Sequence, residues 1–372
     1  MPAPTKTRPT SSTVFPQYEV EAFCAAIRSF NSSFEADLHA FFRLKRNGLL
    51  DLSPDAVELL DSLEELVFAG GKRLRPALIR AAFQACGGTD SDRVRPLSMA
   101  VELLHTYLLI HDDIMDHAAL RRGRPTIHTH FREEHLRRRW HGDAASYGTA
   151  TAILAGDLAH TYALDCFFSA SDILTELVQT FFSMEEEVIV GQHLELKFAH
   201  LREAEEERLG EVLRLKSGRY SVERPLELGA LLADASPDQL DSLRAFGTAV
   251  GEAFQLQDDL LGLFGDPDAV GKPVGSDLRE GKFTFLIYYA LKLTRLSERD
   301  LIEEALGNPD LSTDAASEVC ELIRQCGALE RVRERIESNL IQARTALSES
   351  AFTPEGHAFL INLTYYLQSR QQ

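Results

Sequence analysis

A chain of 372 residues can bury one large core or two ordinary ones, and its 39 Lys and Arg against 57 Asp and Glu leave a net charge of −18. That balance offers no broad basic face, which argues against general nucleic-acid binding and against docking on anionic lipid. An anionic substrate would need a local basic pocket, or metal ions. Five scattered cysteines with no CxxC pair read as the reduced thiols of a cytoplasmic protein. Residues 1–19, rich in Pro, Ser and Thr, carry no apolar signal core and are expected to be a disordered tail. Residues 20–372 are expected to form one domain, and no apolar run is long enough for a membrane span.

Taken in chain order, nearly everything after residue 18 has helical periodicity. Apolar residues recur three and four apart in VEAFCAAIRSF, AVELLDSLEELVF, PALIRAAFQAC, LSMAVELLHTYLLIHDDIMD, TATAILAGDLAHTYALDCFF and ILTELVQTFFSMEEEVIVGQHLELKF. Further helices are expected over 208–234, 237–264, 282–294, 298–306, 314–345 and 353–369, with almost no strand. SPD at 53–55 and again at 236–238 reads as a capped helix start. The acidic run EEE at 185–187 and the basic HLRRRW at 135–140 are expected on solvated faces. The histidines at 128, 130, 135 and 141 match no metal-ligand spacing. GDPDAVGKPVGSDLREGK, 265–282, is expected to be a long functional loop.

Two acidic motifs carry the chemistry. In LLIHDDIMD, Asp112 and Asp116 share one helix face about 6 Å apart, inside an apolar run. Carboxylates so placed repel, and a hard divalent cation relieves the repulsion; Mg2+ takes one or two carboxylates together with phosphate oxygens. FQLQDDLLGLFGD repeats the layout, with Asp258 and Asp259 in phase with Asp112 and Asp113, and Gly262 where a third Asp would stand. Two such helices facing each other would hold Mg2+ between them.

Basic residues fall into compact clusters: Lys72 and Arg75 in GGKRLRP, Arg121 and Arg122 in RRGRPTIH, Lys216 beside Ser217 in KSGRYS, and Lys272 and Lys282 in the long loop. In so acidic a chain, beside two metal-type motifs, they point to a polyanion bridged to metal. Arg suits bidentate phosphate contact and Lys acts as a point charge.

These motifs, with LAGDLA, GQHLELKF and GKPVGSDLREGK, resemble in order and spacing the trans-isoprenyl diphosphate synthases, or polyprenyl synthetases, over residues 20–370. The resemblance implies an all-α, isoprenoid synthase-type bundle of long helices around a central cavity, usually a homodimer. It implies head-to-tail condensation of isopentenyl diphosphate with an allylic diphosphate: dimethylallyl, geranyl or farnesyl. It implies three Mg2+, with Mn2+ as a substitute, held by Asp112, Asp116 and Asp258, with Asp113 and Asp259 in support. Arg121, Lys216 and Lys272 would clasp the allylic diphosphate. Lys72, Arg75, His105 and Arg122 would hold that of isopentenyl diphosphate, with Lys282 contributing. Ser217 and Gln255 would face the developing cation, and Asp277 a metal-bound water. Ser217 stands where the family often has Thr, and Gly262 resembles a variant common among prokaryotic members.

In this family, bulky residues just before the first motif stop chain growth. Tyr107 and Leu108 lie five and four residues before Asp112, Tyr107 about 7.5 Å along the helix. One aromatic and a motif without insertion resemble short-chain synthases making geranylgeranyl diphosphate. Farnesyl or longer products, a class I terpene cyclase, and a non-catalytic partner subunit are the alternatives.

Overall fold

The computed structural model describes residues 17–171, 173–265 and 275–370. Lys272, Asp266 and residues 1–16 of the expected tail lie outside them. The first helix, α1 (Gln17–Leu52), leads through one 3-10 turn (Pro54–Ala56) to α2 (Val57–Phe68), α3 (Leu74–Ala85) and α4 (Arg95–Met115). A two-residue ladder, Leu120–Arg121 with Arg124–Pro125, is the sole sheet among the described residues. Then come α5 (Ile127–Arg138), α6 (Ala144–Phe168), α7 (Thr175–Leu201), α8 (Glu206–Val212), a π-helical segment (Leu213–Glu223), α9 (Arg224–Leu232) and α10 (Pro237–Phe264). The chain closes with α11 (Ser276–Glu280), α12 (Phe285–Leu293), α13 (Leu296–Ala305), α14 (Thr313–Gln325), α15 (Ala328–Leu347) and α16 (Pro354–Ser369). The architecture is all-α, as the periodicity predicts.

The helices pack as neighbours around one contiguous apolar core. Helix α4 runs along α6, α10 lies against the π segment and α15, α3 packs on α9, and α1 packs on α16. Phe42, Phe83, Phe167, Phe181 and Phe246 are fully buried there. Glycines set the closest approaches. A Cβ on Gly191 of α7 would strike the backbone of Lys216, and one on Gly251 of α10 would strike that of Gly218. The π segment is therefore gripped on two sides at backbone distance.

Local chemistry explains where the elements depart from expectation. Helix 208–234 is continuous, but its middle is π-wound rather than α. The expected 314–345 helix is two, α14 and α15, because Gly327 takes φ +91° and ends the first. The loop 265–282 contains α11. Ser236 forms a full capping box with Gln239, whereas Ser53 makes no side-chain cap and Pro54 starts only the 3-10 turn. The run 185–187 is not a solvated face. Glu187 pairs with Arg224 at 2.6 Å and Glu185 lies 2.8 Å from His160, while only Glu186 is exposed.

Candidate active site

The end of α4 is an unfavourable place for carboxylates. Its C-terminal carbonyls already carry partial negative charge. Asp116 caps that end, its N–H bonding the carbonyl of Asp112 at 2.8 Å. Burial, then the neighbouring Asp112, pushes the Asp116 carboxyl up to about 6. Cations from three other segments gather here in response. Lys216 contacts Glu195 and lies 3.8 Å from Asp112. Lys282 lies 3.6 Å from Asp116, 4.0 Å from Asp277 and 2.6 Å from Glu280. The structure thus sets Lys282 at the first acidic motif rather than with Lys72 and Arg75.

The third cation arrives by a hairpin. Arg122 (φ +53°) and Gly123 (φ +74°) form its two-residue turn, the left-handed pair that matches the twist of a ladder. The return places the Arg121 guanidinium on buried Asp113, with Nε donating at 2.7 and 2.9 Å and Nη2 lying 2.6 Å away. Asp113 therefore faces Arg121, and Asp112 is 3.5 Å from the same guanidinium. Arg122 swings the other way and donates to the carbonyl of Gly70.

That contact joins it to the GGKRLRP turn. Arg73, between the two expected ligands, is buried on Glu102 and the Val67 carbonyl at the start of α3, and so belongs to the scaffold. Lys72 lies over the Tyr366 ring at 5.2 Å. Arg75 stacks 4.5 Å above Tyr220 and donates to Ser221 at 2.7 Å. His105 meets the Tyr220 hydroxyl at 2.8 Å through Nδ1. Burial, then Arg75, Arg122, Arg121 and Arg73, holds the imidazole well below the usual histidine range, so it is neutral.

Across the cavity, α10 presents the second motif. Asp258 meets Arg370 at 3.1 Å. Asp259 accepts from Gln255 at 2.8 Å, and burial pushes its carboxyl up to about 8. Gly262 has a spatial reason: a Cβ there would collide with the Asp277 carboxylate. The place of a third motif carboxylate is thus taken by one from α11.

Between the motifs lies a cavity of about 540 Å³. Arg75, His105, Asp112, Lys216, Ser217, Gln255 and Asp258 line it, with apolar Leu108, Leu109, Val188, Ile189, Leu196 and Phe254. Tyr107 lines it too, its ring 4.7 Å from His111 and 5.0 Å from His160. An adjoining space of about 340 Å³ is walled by Glu195, Asp258, Asp259, Asp277, Lys216, Lys282 and Arg370. Among the described residues, no three carboxylate, imidazole or thiol groups converge as a closed metal cage. Each motif instead offers all-oxygen donors on an open wall. That suits Mg2+, which keeps water and substrate phosphate oxygens in its shell.

Glu195, Tyr220 and Arg370 are among the residues at this site that the sequence does not flag. The first two lie inside motifs already singled out, GQHLELKF and KSGRYS. Arg370 has no local signal, since it meets Asp258 across 112 residues of chain.

A family model described as Polyprenyl synthetase matches residues 57–323. A short chain isoprenyl diphosphate synthase of Methanocaldococcus jannaschii is 35% identical over 72% of this chain and 76% of its own length. A geranylgeranyl diphosphate synthase of Sulfolobus acidocaldarius is 34% identical over 74% of this chain and 79% of its own. The crystal structure of a geranylgeranyl pyrophosphate synthase from Corynebacterium glutamicum, complexed with isoprenyl diphosphate and magnesium, superposes with a TM-score of 0.82 at 30% identity, covering 97% of this chain and 100% of that one. Names among the matched relatives run from farnesyl to nonaprenyl diphosphate synthase. With its acidic motifs facing one cavity and its length matched by such relatives, the chain belongs to the polyprenyl synthetase family and is a prenyl diphosphate synthase, a prenyltransferase.

Proposed function

We propose that the protein condenses isopentenyl diphosphate with dimethylallyl, geranyl or farnesyl diphosphate, and that its main product is geranylgeranyl diphosphate. The observation that carries this reading is two cationic groups that reach one cavity, the first through Lys216 and the second through Arg75. Lys216 and Lys282 stand among the aspartates, while Lys72, Arg75, Arg122 and neutral His105 form a second group. Two anion sites fit a two-diphosphate reaction. A cyclase, which takes one diphosphate, leaves the second group without a role, and a decayed partner subunit has no need of either.

In this reading Asp112 and Asp116 hold two Mg2+ and Asp258 a third, with Mn2+ able to replace them; when bound, the ions supply positive charge to the departing diphosphate. Lys216 and Lys282 orient the allylic diphosphate and share that charge, with Arg121 fixing Asp113 beneath them. Lys72, Arg75, Arg122 and His105 fix the second substrate with its double bond toward the allylic carbon. Oxygen dipoles of Ser217 and Gln255 face the positive charge left on the hydrocarbon. The apolar wall excludes water, which would otherwise trap the cation as an alcohol. Tyr107, braced by His111 and His160, is the floor that ends elongation.

We also infer a homodimer. Ile153 and Leu154 of α6 and Phe182 and Val190 of α7 are each at least 42% exposed, an apolar surface suited to a second copy.

The test is incubation of purified protein with Mg2+, isopentenyl diphosphate and each primer, with products identified by mass spectrometry. A linear C20 diphosphate is expected from the wild type and longer products from Tyr107→Ala. A cyclic hydrocarbon, or no turnover with any primer, would sink the proposed function. An unchanged product distribution in Tyr107→Ala would remove the floor alone.

A further inference from the structure

The Tyr220 ring touches two members of the second cationic group, Arg75 and His105, without belonging to either acidic motif. It is 4% exposed and comes from the π segment, the element that also carries Lys216. Its face supports the Arg75 guanidinium at 4.5 Å, and its hydroxyl meets His105 Nδ1 at 2.8 Å. One side chain therefore touches two of the groups proposed to hold the second diphosphate, one by cation–π contact and one by hydrogen bond.

The hydrogen bond has a direction. Among the described residues, His105 Nδ1 is the partner found for the Tyr220 hydroxyl. A buried phenol that accepted a hydrogen from Nδ1 would leave its own O–H without an acceptor, which is costly. The phenol keeps its proton, since burial raises its pKa, and the imidazole is neutral for the reasons given above. A neutral imidazole carries one N–H. With Nδ1 accepting from Tyr220, that hydrogen sits on Nε2.

We propose that Tyr220 is a positioning residue for the second diphosphate: it sets His105 in the Nε2–H tautomer, so that the ring presents a donor to a phosphate oxygen, and it holds the Arg75 guanidinium flat beside that donor. The opposite tautomer would offer a lone pair at Nε2 and repel the anion. This rests on assigning Arg75 and His105 to the isopentenyl diphosphate site.

Tyr220→Phe separates the two tasks, because it keeps the ring under Arg75 and removes the hydroxyl. The expected result is a rise of about tenfold in KM for isopentenyl diphosphate, the scale of one positioning hydrogen bond. KM for the allylic diphosphate and kcat should change by less than about twofold on the same scale. Tyr220→Leu, which also removes the ring, should raise the first KM by about a further fivefold. Nitrogen-15 NMR of histidine-labelled wild-type protein should show His105 with its hydrogen on Nε2, and Tyr220→Phe should lose that single tautomer. A wild-type hydrogen on Nδ1 overturns the inference. So does an unchanged KM in Tyr220→Phe while His105→Ala raises it. If His105→Ala and Arg75→Ala both leave KM for isopentenyl diphosphate unchanged, the site assignment itself fails and the inference falls with it.

Discussion

The two aspartate-bearing helix ends look alike in sequence and differ in how their charge is balanced. At the end of α4, protein cations stand beside every carboxylate: Arg121 at Asp113, Lys216 and Arg121 near Asp112, Lys282 near Asp116. At α10, Asp258 has Arg370, while Asp259 has the neutral Gln255 amide and faces Asp277, Glu195 and Asp258. The first end is largely compensated by the fold. At the second, Asp259 keeps a proton instead, which is how a buried carboxylate survives without a counter-ion. The lesson is that matching motifs do not make matching sites, because the partners come from elsewhere in the chain.

Removing a carboxylate from each end tests the comparison most severely. Asp112→Asn is expected to lower kcat by about a thousandfold or more at saturating Mg2+, and Asp258→Asn by about a hundredfold. The assay is prenyl transfer with labelled isopentenyl diphosphate, and equal losses would erase the asymmetry. A smaller effect is expected from Gly262→Ala. Its methyl would displace the Asp277 carboxylate and disturb Lys282 beside it, lowering kcat by about tenfold without unfolding the protein. A wild-type rate in Gly262→Ala would mean that Asp277 has no part in the site.

The gentlest test uses pH. Folded Asp259 holds its proton up to about 8, against about 3.9 in an unfolded chain. Between those values the folded state binds more protons than the unfolded one, so stability falls as pH rises through the window. Asp259→Asn removes that titration. In chelating buffer the variant should melt roughly 2 °C or more above wild type at pH 8, with the difference vanishing near pH 4. No difference at pH 8 would show that Asp259 is compensated after all.

Much of this site was legible because its signals are local. Asp112 and Asp116 are one turn apart on a helix whose period is plain, and GGKRLRP and RRGRP announce their turns through glycine. What escaped reading depends on tertiary contact. The π winding of Leu213–Glu223 has no periodicity of its own to betray it; it accompanies the close contacts of Lys216 with Gly191 and of Gly218 with Gly251. Glu187 looks like a surface acid until Arg219 and Arg224 are seen to close on it. Lys282 lies beyond a long loop, so only the fold reveals that it returns to Asp116 rather than to Arg75.

Under the proposed function, Tyr107 is the floor against which product length is measured. Tyr107 is backed by His160 and Glu185, so the wall a growing tail meets has hydrophilic groups behind it. Each added isoprene unit gains about 4 kcal/mol of apolar transfer while it has dry wall to lie against. Past Tyr107 the next unit would have to lie against the paired imidazole and carboxylate instead of apolar wall, and parting that pair would cost several kcal/mol. Under the proposed function, then, the ruler is thermodynamic as well as steric. Growth stops where the solvation balance changes sign, and a mere widening of the bore, with His160 and Glu185 left in place, should lengthen the product less than making that layer oily.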